Sequence, residues 1–321
     1  MFIINGILYP SVFCAPYIRG FTGEELLFHK LLRLFGATWE NTGFAGKTMT
    51  LTNRKGNMPL QEDGMTPKET LPRCIWVNPF KNGGEIINAV GLANNGLDFY
   101  LKLGVYQRFT EPFIISIALE SKSNHSQIME LQAMCRLIKD YGPYNGMAVQ
   151  INCGCPNSDV KVGSFNSEIC NLLNSAKAIL GPKIPVLLNC NALMPTEVLT
   201  EVVKVADALW VGNTIPWRDT ETLEEIDWNS IGDKSPLRHR GIKADGGLSS
   251  HQCLKFTIKK VKDLRERGVQ LPIIAGNGIR TISDINDLKE VGANAIFLGS
   301  VAVVRPWRMK KLISHANHVF A

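Results

Sequence analysis

The chain has 321 residues, of which 45% are hydrophobic and 20% are charged, and its formal net charge is +6. This length suits one large α/β barrel and does not require two domains. Such a moderate charge is common among soluble enzymes, so it predicts no nucleic-acid partner. No apolar run approaches the length that spans a bilayer, which excludes a membrane-spanning protein at the level of sequence.

The cysteines indicate a reducing compartment. Eight of them are spread along the chain, and the initial stretch MFIINGILYPSVF has neither the basic region nor the cleavage site of a secretory leader. We therefore expect free thiols and a cytoplasmic protein. The pair Cys153 and Cys155 lacks further ligands at useful spacing, so we predict no metal site.

Short apolar runs alternate with longer amphipathic stretches along the chain. Several of the short runs are continuously apolar, as expected for parallel strands buried on both faces. In chain order the predicted strands are SVFCAP (11–16), GATWEN (36–41), PFIISIAL (112–119), MAVQIN (147–152), PVLLNC (185–190), DALWVGN (207–213), LPIIAGN (271–277) and NAIFLGS (294–300).

Helical spacing of apolar residues marks the segments between these strands. The predicted helices lie within 23–36, 126–142, 167–181, 196–206, 254–268 and 281–292. Repeated βα units close most economically into a (β/α)8 TIM barrel, and no G-x-G-x-x-G follows an early strand as a doubly wound sheet would require. We predict a single-domain barrel over residues 1–321. The Asn-, Gly- and Pro-rich stretch 53–103 is expected to be an inserted loop region near the barrel mouth.

Polar residues close several of the predicted strands, at the end of the barrel where active sites form. They are Asn152, Asn189, Asn213 and Asn277, with Cys155 and Asn157 just beyond the first. A single asparagine there is usually a turn former, but four at matched positions suggest a ring of carboxamides that both donate and accept hydrogen bonds. The stretch INCGCPN by itself is compatible with a disulfide, a structural loop or a catalytic acid/base, besides the metal site that the lack of further ligands argues against.

Glycines end the last two predicted strands. IIAGNGI and IFLGS place Gly276, Gly278 and Gly299 in two successive loops close to the start of a following helix. Exposed backbone N–H groups there suit an anion. The same glycines also suit ordinary turns between a strand and a helix, so both interpretations stand.

A set of motifs resembles dihydroorotate dehydrogenases, FMN-dependent barrel enzymes of pyrimidine synthesis, from about residue 10 to about 306. KTMTLTNRKGNMP is similar to the family's Lys-Thr segment followed by Arg-x-Gly-Asn-Pro, and NAVGLANNGLDFY to its substrate loop. INCGCPN resembles the segment that holds the catalytic base. VGNT, GGLSS and IIAGNGI…IFLGS resemble the strand-end Asn-Thr pair and the flavin-binding glycine segments.

The resemblance implies a role for individual residues. Cys155 would be the base in the oxidation of dihydroorotate to orotate. The substrate would contact Lys47, Asn88, Val90, Gly91, Leu92, Asn152, Asn157, Asn213 and Thr214. FMN would contact Ala15, Lys47, Thr48, Asn152, Asn189, Gly212, Gly247, Gly276, Asn277, Gly278, Gly299 and Ser300.

A cysteine base and the lack of a leading helical segment resemble the class 1 enzymes. The resemblance implies a homodimer, and it also implies the option of a separate iron–sulfur/FAD subunit that takes the electrons onward. The resemblance implies either fumarate or NAD as the terminal electron acceptor.

Four positions depart from the family pattern. Asn189 stands where a lysine is usual, Gly154 where a serine is usual, and Leu254 where a lysine is common. The segment TWENTGFAG adds residues before Lys47. An insertion that alters the preceding strand is expected to displace the Lys47 side chain.

Two alternatives remain at this stage. INCGCP also fits the Asn-x-Gly-Cys-Pro segment of the tRNA dihydrouridine synthases, although the Pro-Asn continuation and the NAVGLANNG loop favour dihydroorotate. The departures also allow a dehydrogenase-like protein that binds flavin but has altered or lost activity.

Overall fold

The computed structural model describes residues 1–153 and 166–321. Its strands, in chain order, are β1 (Phe2–Ile4), β2 (Ile7–Tyr9), β3 (Val12–Cys14), β4 (Phe44–Ala45), β5 (Ile75–Asn78), β6 (Glu85–Asn88), β7 (Phe113–Ile117), β8 (Met147–Asn152), β9 (Val186–Cys190), β10 (Ala208–Val211), β11 (Ile215–Pro216), β12 (Gly247–Ser250), β13 (Ile273–Gly276) and β14 (Ala295–Leu298).

The α-helices of the described residues lie mostly between the strands of the barrel. They are α1 (Leu27–Leu34), α2 (Leu97–Lys102), α3 (Asn124–Asp140), α4 (Asn166–Leu180), α5 (Thr196–Val202), α6 (Pro236–His239), α7 (Leu254–Glu266), α8 (Ile282–Glu290), α9 (Ser300–Val304) and α10 (Met309–Val319).

Eight parallel strands form the centre of the molecule, in the order β3-β14-β13-β10-β9-β8-β7-β4. The two outer strands meet, because the Gly43 amide donates to the Val12 carbonyl at 2.8 Å and Phe13 pairs with Gly43 in parallel. A sheet closed in this way has no free edge. The prediction of a (β/α)8 barrel is therefore confirmed.

The prediction of a second strand at GATWEN (36–41) is wrong. The chain turns there instead: Asn41 has a φ of 60°, and the Thr42 hydroxyl donates to the Trp39 carbonyl at 2.6 Å. The barrel strand begins only at Phe44. Gly43 permits the close approach that shuts the barrel, since a Cβ at this position would lie 2.6 Å from the Phe13 ring.

A second, antiparallel sheet of four strands takes two of them, β5 and β6, from the stretch 53–103 that is predicted as a loop region near the barrel mouth. Its order is β11-β12-β6-β5, and Asn88 at the end of β6 pairs with Gly247 at the start of β12. Ile87 and Leu248 are fully buried in a small apolar cluster of their own. Asn- and Gly-rich flanks concealed these short strands, which gain stability from partners distant in sequence.

The opposite end of the barrel is covered by the β1–β2 hairpin. Its Phe2 ring packs against Phe13 in the barrel, with ring centroids 6.4 Å apart, and the N-terminal ammonium donates to the Phe320 carbonyl at 2.7 Å. The open end of the barrel is therefore the one at the carboxyl ends of the strands.

None of the helices in the described residues is long and apolar enough to cross a membrane. Within the same two segments of the chain, no three His, Cys, Asp or Glu side chains converge on a position that could hold a metal ion.

Candidate active site

A pocket lies at the carboxyl ends of the barrel strands, beside the second sheet. Most of the predicted site residues line it, although they come from segments far apart in sequence. These are Ala15, Lys47, Thr48, Asn88, Val90, Gly91, Leu92, Asn152, Asn189, Gly212, Asn213, Thr214, Asn277, Gly299 and Ser300. Cys155 and Asn157 lie outside the described residues, as does Gly154.

The insertion before Lys47 does not displace this side chain from the pocket. The extra residues form the turn that precedes β4, and the Lys47 amide donates to the Gly20 carbonyl at 2.7 Å. Lys47 consequently lies two residues beyond β4, at the same end of the barrel as the strand-end asparagines.

A chain of hydrogen bonds links the polar groups of the pocket. The Thr48 and Ser116 hydroxyl oxygens are 2.9 Å apart, and Asn152 Nδ2 donates to Thr48 Oγ1 at 3.1 Å. Asn213 Nδ2 donates to Asn152 Oδ1 at 3.1 Å, and Asn277 Nδ2 donates to the Asn213 carbonyl at 3.0 Å. The carboxamides of Asn152 and Asn213 are therefore joined directly, whereas Asn277 bonds the backbone of Asn213, so the three asparagines form an open chain of hydrogen bonds rather than a closed ring.

Asn189 belongs to a different pair. Its Nδ2 donates to Gln150 Oε1 at 3.1 Å, and both side chains are buried. Within residues 1–153 and 166–321, Asn189 Oδ1 and Gln150 Nε2 have no hydrogen-bond partner. Buried polar atoms are nearly always paired, so these two atoms indicate that a ligand or water completes the barrel interior here.

Lys47 brings a positive charge to the pocket. Its Nζ lies 3.5 Å from the Ala93 carbonyl and 4.7 Å from the centroid of the Phe21 ring. Burial lowers the pKa of its ammonium group to about 8, while Glu24 acts in the opposite direction. An anionic ligand beside Lys47 would restore the ordinary preference for the charged form.

The loop that follows β6 is held by the segment 54–57. Arg54 Nε donates to the Gly91 carbonyl at 2.8 Å, and the Asn57 amide donates to the Val90 carbonyl at 2.9 Å. Leu92 has a φ of 56°, a left-handed conformation that is rare for a branched side chain. Strain of this kind persists where surrounding contacts determine the backbone, which is common at ligand sites.

The glycines predicted to hold FMN fall into two groups. A Cβ at Gly299 would lie 2.8 Å from the Tyr17 hydroxyl, so Gly299 keeps the backbone open beside the pocket. Gly247, Gly276 and Gly278 do not line the pocket. A Cβ at Gly276 would meet the Phe297 ring at 2.6 Å, which makes close packing the reason for this glycine.

The pocket also contains residues that sequence reasoning missed. They are Pro16, Tyr17, Trp210, Ser249 and Phe297. Trp210 and Phe297 stack inside the barrel, with ring centroids 4.6 Å apart and an interplanar angle of 20°. Each is the next-to-last residue of its strand and lies two positions before a glycine, so a large aromatic residue just before a strand-end glycine is the sequence signal that could have identified both.

Comparison with known proteins identifies the family. The family model described as dihydroorotate dehydrogenase matches residues 66–320. The chain belongs to this family. The match decides against the tRNA dihydrouridine synthases as the family of this protein.

Two bacterial relatives share one name, the catalytic subunit of dihydroorotate dehydrogenase B (NAD(+)). The protein from Enterococcus faecalis is 26% identical over 259 residues, which cover 77% of this chain and 76% of the relative. The protein from Staphylococcus carnosus is 25% identical over 237 residues, which cover 71% and 70% of the two chains.

A solved structure of dihydroorotate dehydrogenase from Eimeria tenella, in complex with ferulenol, has the same fold. It superposes with a TM-score of 0.67 at 17% identity and covers 98% of this chain and 82% of the other. The ligand-free form from the same organism gives a TM-score of 0.63 at 18% identity.

Proposed function

We propose that this protein catalyses the FMN-dependent oxidation of dihydroorotate to orotate, a step of pyrimidine biosynthesis. The observation that carries the proposal is the meeting of Lys47 with the linked carboxamides of Asn152 and Asn213 in one pocket. A planar pyrimidine that carries one carboxylate and an imide needs one cation and several neutral donors and acceptors. This pocket supplies both.

Each of these groups has a distinct task in the proposal. Lys47 pairs with the carboxylate of the substrate, since its pKa of about 8 leaves it largely charged at neutral pH. Asn152 and Asn213, oriented by the hydrogen bond between them, read the ring carbonyl and N–H groups. Asn88, Asn157 and Thr214, with the backbone of Val90, Gly91 and Leu92, complete the substrate contacts.

The pocket also fits a flavin. Asn189, whose Oδ1 has no hydrogen-bond partner among the described residues, lines the same pocket as Gly299 and Ser300. A carboxamide suits the polar ring of a flavin, and a glycine followed by a serine at the start of a helix suits its phosphate. When bound, FMN would accept the hydride that leaves the substrate ring. Ala15, Thr48, Gly212 and Asn277 would hold the ring and its side chain; contacts with Gly247, Gly276 and Gly278 remain predictions.

Cys155 is proposed as the base. Conversion of the C–C single bond to a double bond removes a proton from one ring carbon and a hydride from the next, so the protein must supply a proton acceptor. The thiolate form of a cysteine is the basic species. The rate of substrate oxidation is therefore expected to rise with pH as the thiol ionises.

The relatives suggest how the electrons leave. Because they are named as catalytic subunits of an NAD(+)-dependent enzyme, we propose that this chain is a catalytic subunit that passes electrons to a separate iron–sulfur/FAD subunit. We further propose a single domain over residues 1–321, a homodimer of this chain and a cytoplasmic location.

Anaerobic mixing of the FMN-loaded protein with L-dihydroorotate tests the reaction. The flavin absorbance near 450 nm should bleach with the formation of orotate, at roughly one orotate per flavin reduced, as two-electron stoichiometry requires. A flavin that stays oxidised at full FMN occupancy would overturn the proposed reaction. It would support the alternative of a flavin-binding protein without turnover.

The variant Cys155→Ala tests the assignment of the base. It should lose bleaching while it retains orotate binding, because the thiol is needed for proton removal rather than for affinity. Cys170→Ala is a matched control, since this half-buried cysteine lies on α4 outside the pocket. Normal bleaching by Cys155→Ala would refute the assignment.

A further inference from the structure

A buried arginine lies directly behind the end of the pocket formed by Gly299 and Ser300. Arg280 follows the strand β13 and is 3% exposed. Its Nη2 donates to Ser300 Oγ at 2.9 Å and to the Gly84 carbonyl at 3.2 Å. Ser300 itself lines the pocket, so the buried guanidinium is one hydrogen bond away from a pocket residue.

No carboxylate lies within ion-pair distance of the guanidinium among the residues that the structure describes, although Asp284 is near enough to favour its charged form. The remaining hydrogen bonds of the guanidinium go to the carbonyls of Gly83 and Ile279, so every acceptor recorded for it is an uncharged oxygen. Asp284 belongs to the same segment, but its Oδ2 accepts the backbone amide of Arg280 at 2.6 Å rather than the side chain. Burying a cation without an anion is unfavourable.

The charge is nevertheless present at neutral pH. Burial lowers the pKa of the Arg280 guanidinium to about 10, which still leaves it protonated. Arg308 lies close by, with Nη1 donating to the Arg280 carbonyl at 3.0 Å. Asp284 offsets part of this charge, but Arg280 and Arg305 act on each other as like charges, so the surroundings of Ser300 retain excess positive charge that a ligand could neutralise.

The direction of the Arg280–Ser300 hydrogen bond determines what the serine can do. A guanidinium only donates, so Ser300 Oγ accepts and its own proton must go elsewhere. Within residues 1–153 and 166–321, no acceptor is recorded for that proton. The serine hydroxyl thus remains a proton donor on the pocket side, polarised by the charge behind it.

We propose that Arg280 is a positioning residue for the phosphate of the cofactor: it holds Ser300 as a hydrogen-bond donor to the phosphate and supplies the positive charge of that subsite. This inference rests on the proposed use of FMN, and it adds a residue that neither the glycine segments nor the motifs identified. Phosphate binding at this end of the barrel then depends on a buried cation as well as on backbone amides.

The test compares FMN with riboflavin, which lacks only the phosphate. Apoprotein is titrated with each flavin. The dissociation constant of riboflavin divided by that of FMN measures the contribution of the phosphate. Arg280→Gln should reduce this ratio about 10- to 100-fold, as expected for the loss of a charge-assisted hydrogen bond. Its affinity for riboflavin should stay unchanged. Arg280→Lys should restore most of the ratio.

Two further variants separate positioning from folding. Ser300→Ala should also reduce the ratio, because it removes the donor while the charge remains. Arg265→Gln is the matched control: Arg265 likewise bonds several carbonyls, including that of Gly292 at 2.9 Å, but lies outside the pocket. It should leave the ratio unchanged even if it lowers stability.

The outcomes distinguish this inference from the proposed reaction. Equal weakening of FMN and riboflavin by Arg280→Gln, or an unchanged ratio, would overturn the role of Arg280. Suppose that Arg280→Gln loses the preference for FMN over riboflavin, but dihydroorotate fails to bleach the flavin of the wild-type protein. This result would overturn the proposed reaction and leave the inference intact.

Discussion

Asn213 Nδ2 donates to Asn152 Oδ1 at 3.1 Å and thereby joins the carboxyl ends of β10 and β8 across the intervening strand β9. Asn152 in turn donates to Thr48, so its carboxamide cannot flip without loss of both bonds. The two side chains are therefore held in one orientation before any ligand arrives, which reduces the entropy lost on binding.

Asn213→Ala should weaken orotate binding about 10-fold or more. The substitution removes one side chain that hydrogen-bonds the pyrimidine ring, and it also removes the hydrogen bond that orients the Asn152 carboxamide. The measurement is a titration of the FMN-loaded protein with orotate, followed by the change in flavin absorbance. Asn286→Ala serves as the control, since this exposed asparagine on α8 contacts His315 rather than the pocket. Unchanged orotate affinity in Asn213→Ala would contradict the assigned role.

The affinity for orotate should fall as the pH rises through about 8. Burial lowers the pKa of Lys47 to that value, so the free protein loses the ammonium charge above it. A bound carboxylate favours the charged form, hence binding requires the proton and the dissociation constant should rise up to about tenfold per pH unit above the pKa. Titrations with orotate between pH 6 and 9 measure this slope.

Lys47→Met provides the control for this pH dependence. It should bind orotate weakly at every pH and lack the component of the profile that titrates near 8, because the group responsible has been removed. If the variant kept the same slope, another group would be the source of the pH dependence.

The barrel could be predicted because its strands carry their own signal. Seven of the eight predicted segments contain a barrel strand, for they are apolar runs buried on both faces. The second strand could not be located, because it has two residues, Phe44 and Ala45, and its position is set by the closure of the barrel at Gly43. Local propensity contains no information about such a closure.

The same distinction applies to the site. Residues that end a strand, such as Asn152 and Asn213, could be found from their position alone. Arg280 could not, because its neighbours Gly84 and Ser300 are far away in sequence and only the folded chain brings them together. The pairing of Asn189 with Gln150 also escaped prediction, since Gln150 lies inside a strand that reads as an apolar run and the two residues meet only across neighbouring strands.

Trp210 should contribute more to stability than any exposed tryptophan. It is almost fully buried, stacks on Phe297 and meets Phe13 edge-on with centroids 5.6 Å apart. Trp210→Ala should lower the free energy of unfolding by about 3–5 kcal/mol, through lost contacts and the cavity that remains. Urea unfolding followed by circular dichroism measures the difference.

Trp307→Ala is the matched comparison for Trp210, because Trp307 is 59% exposed. Its effect should stay within about 0.5 kcal/mol, as for most surface substitutions. Similar losses for the two variants would show that the stack of Trp210 on Phe297 adds little to the barrel core.

Asn189→Lys should raise the reduction potential of the bound flavin. Asn189 lines the pocket as a neutral side chain, with Oδ1 unpartnered among the described residues. A lysine cation at this position would favour the more negative, reduced form of the cofactor. If the added charge stabilises the reduced flavin by about 1–2 kcal/mol, the reduction potential of this two-electron couple rises by roughly 20–40 mV.

Equilibration with a reference dye during slow anaerobic reduction measures this potential without any substrate turnover. Asn286→Lys is the control, because it adds the same charge at an exposed position on α8. A potential that stays constant or falls in Asn189→Lys, at full FMN occupancy, would mean that the residue does not face the part of the flavin that gains charge. The unpartnered Asn189 Oδ1 would then be assigned to water rather than to the flavin.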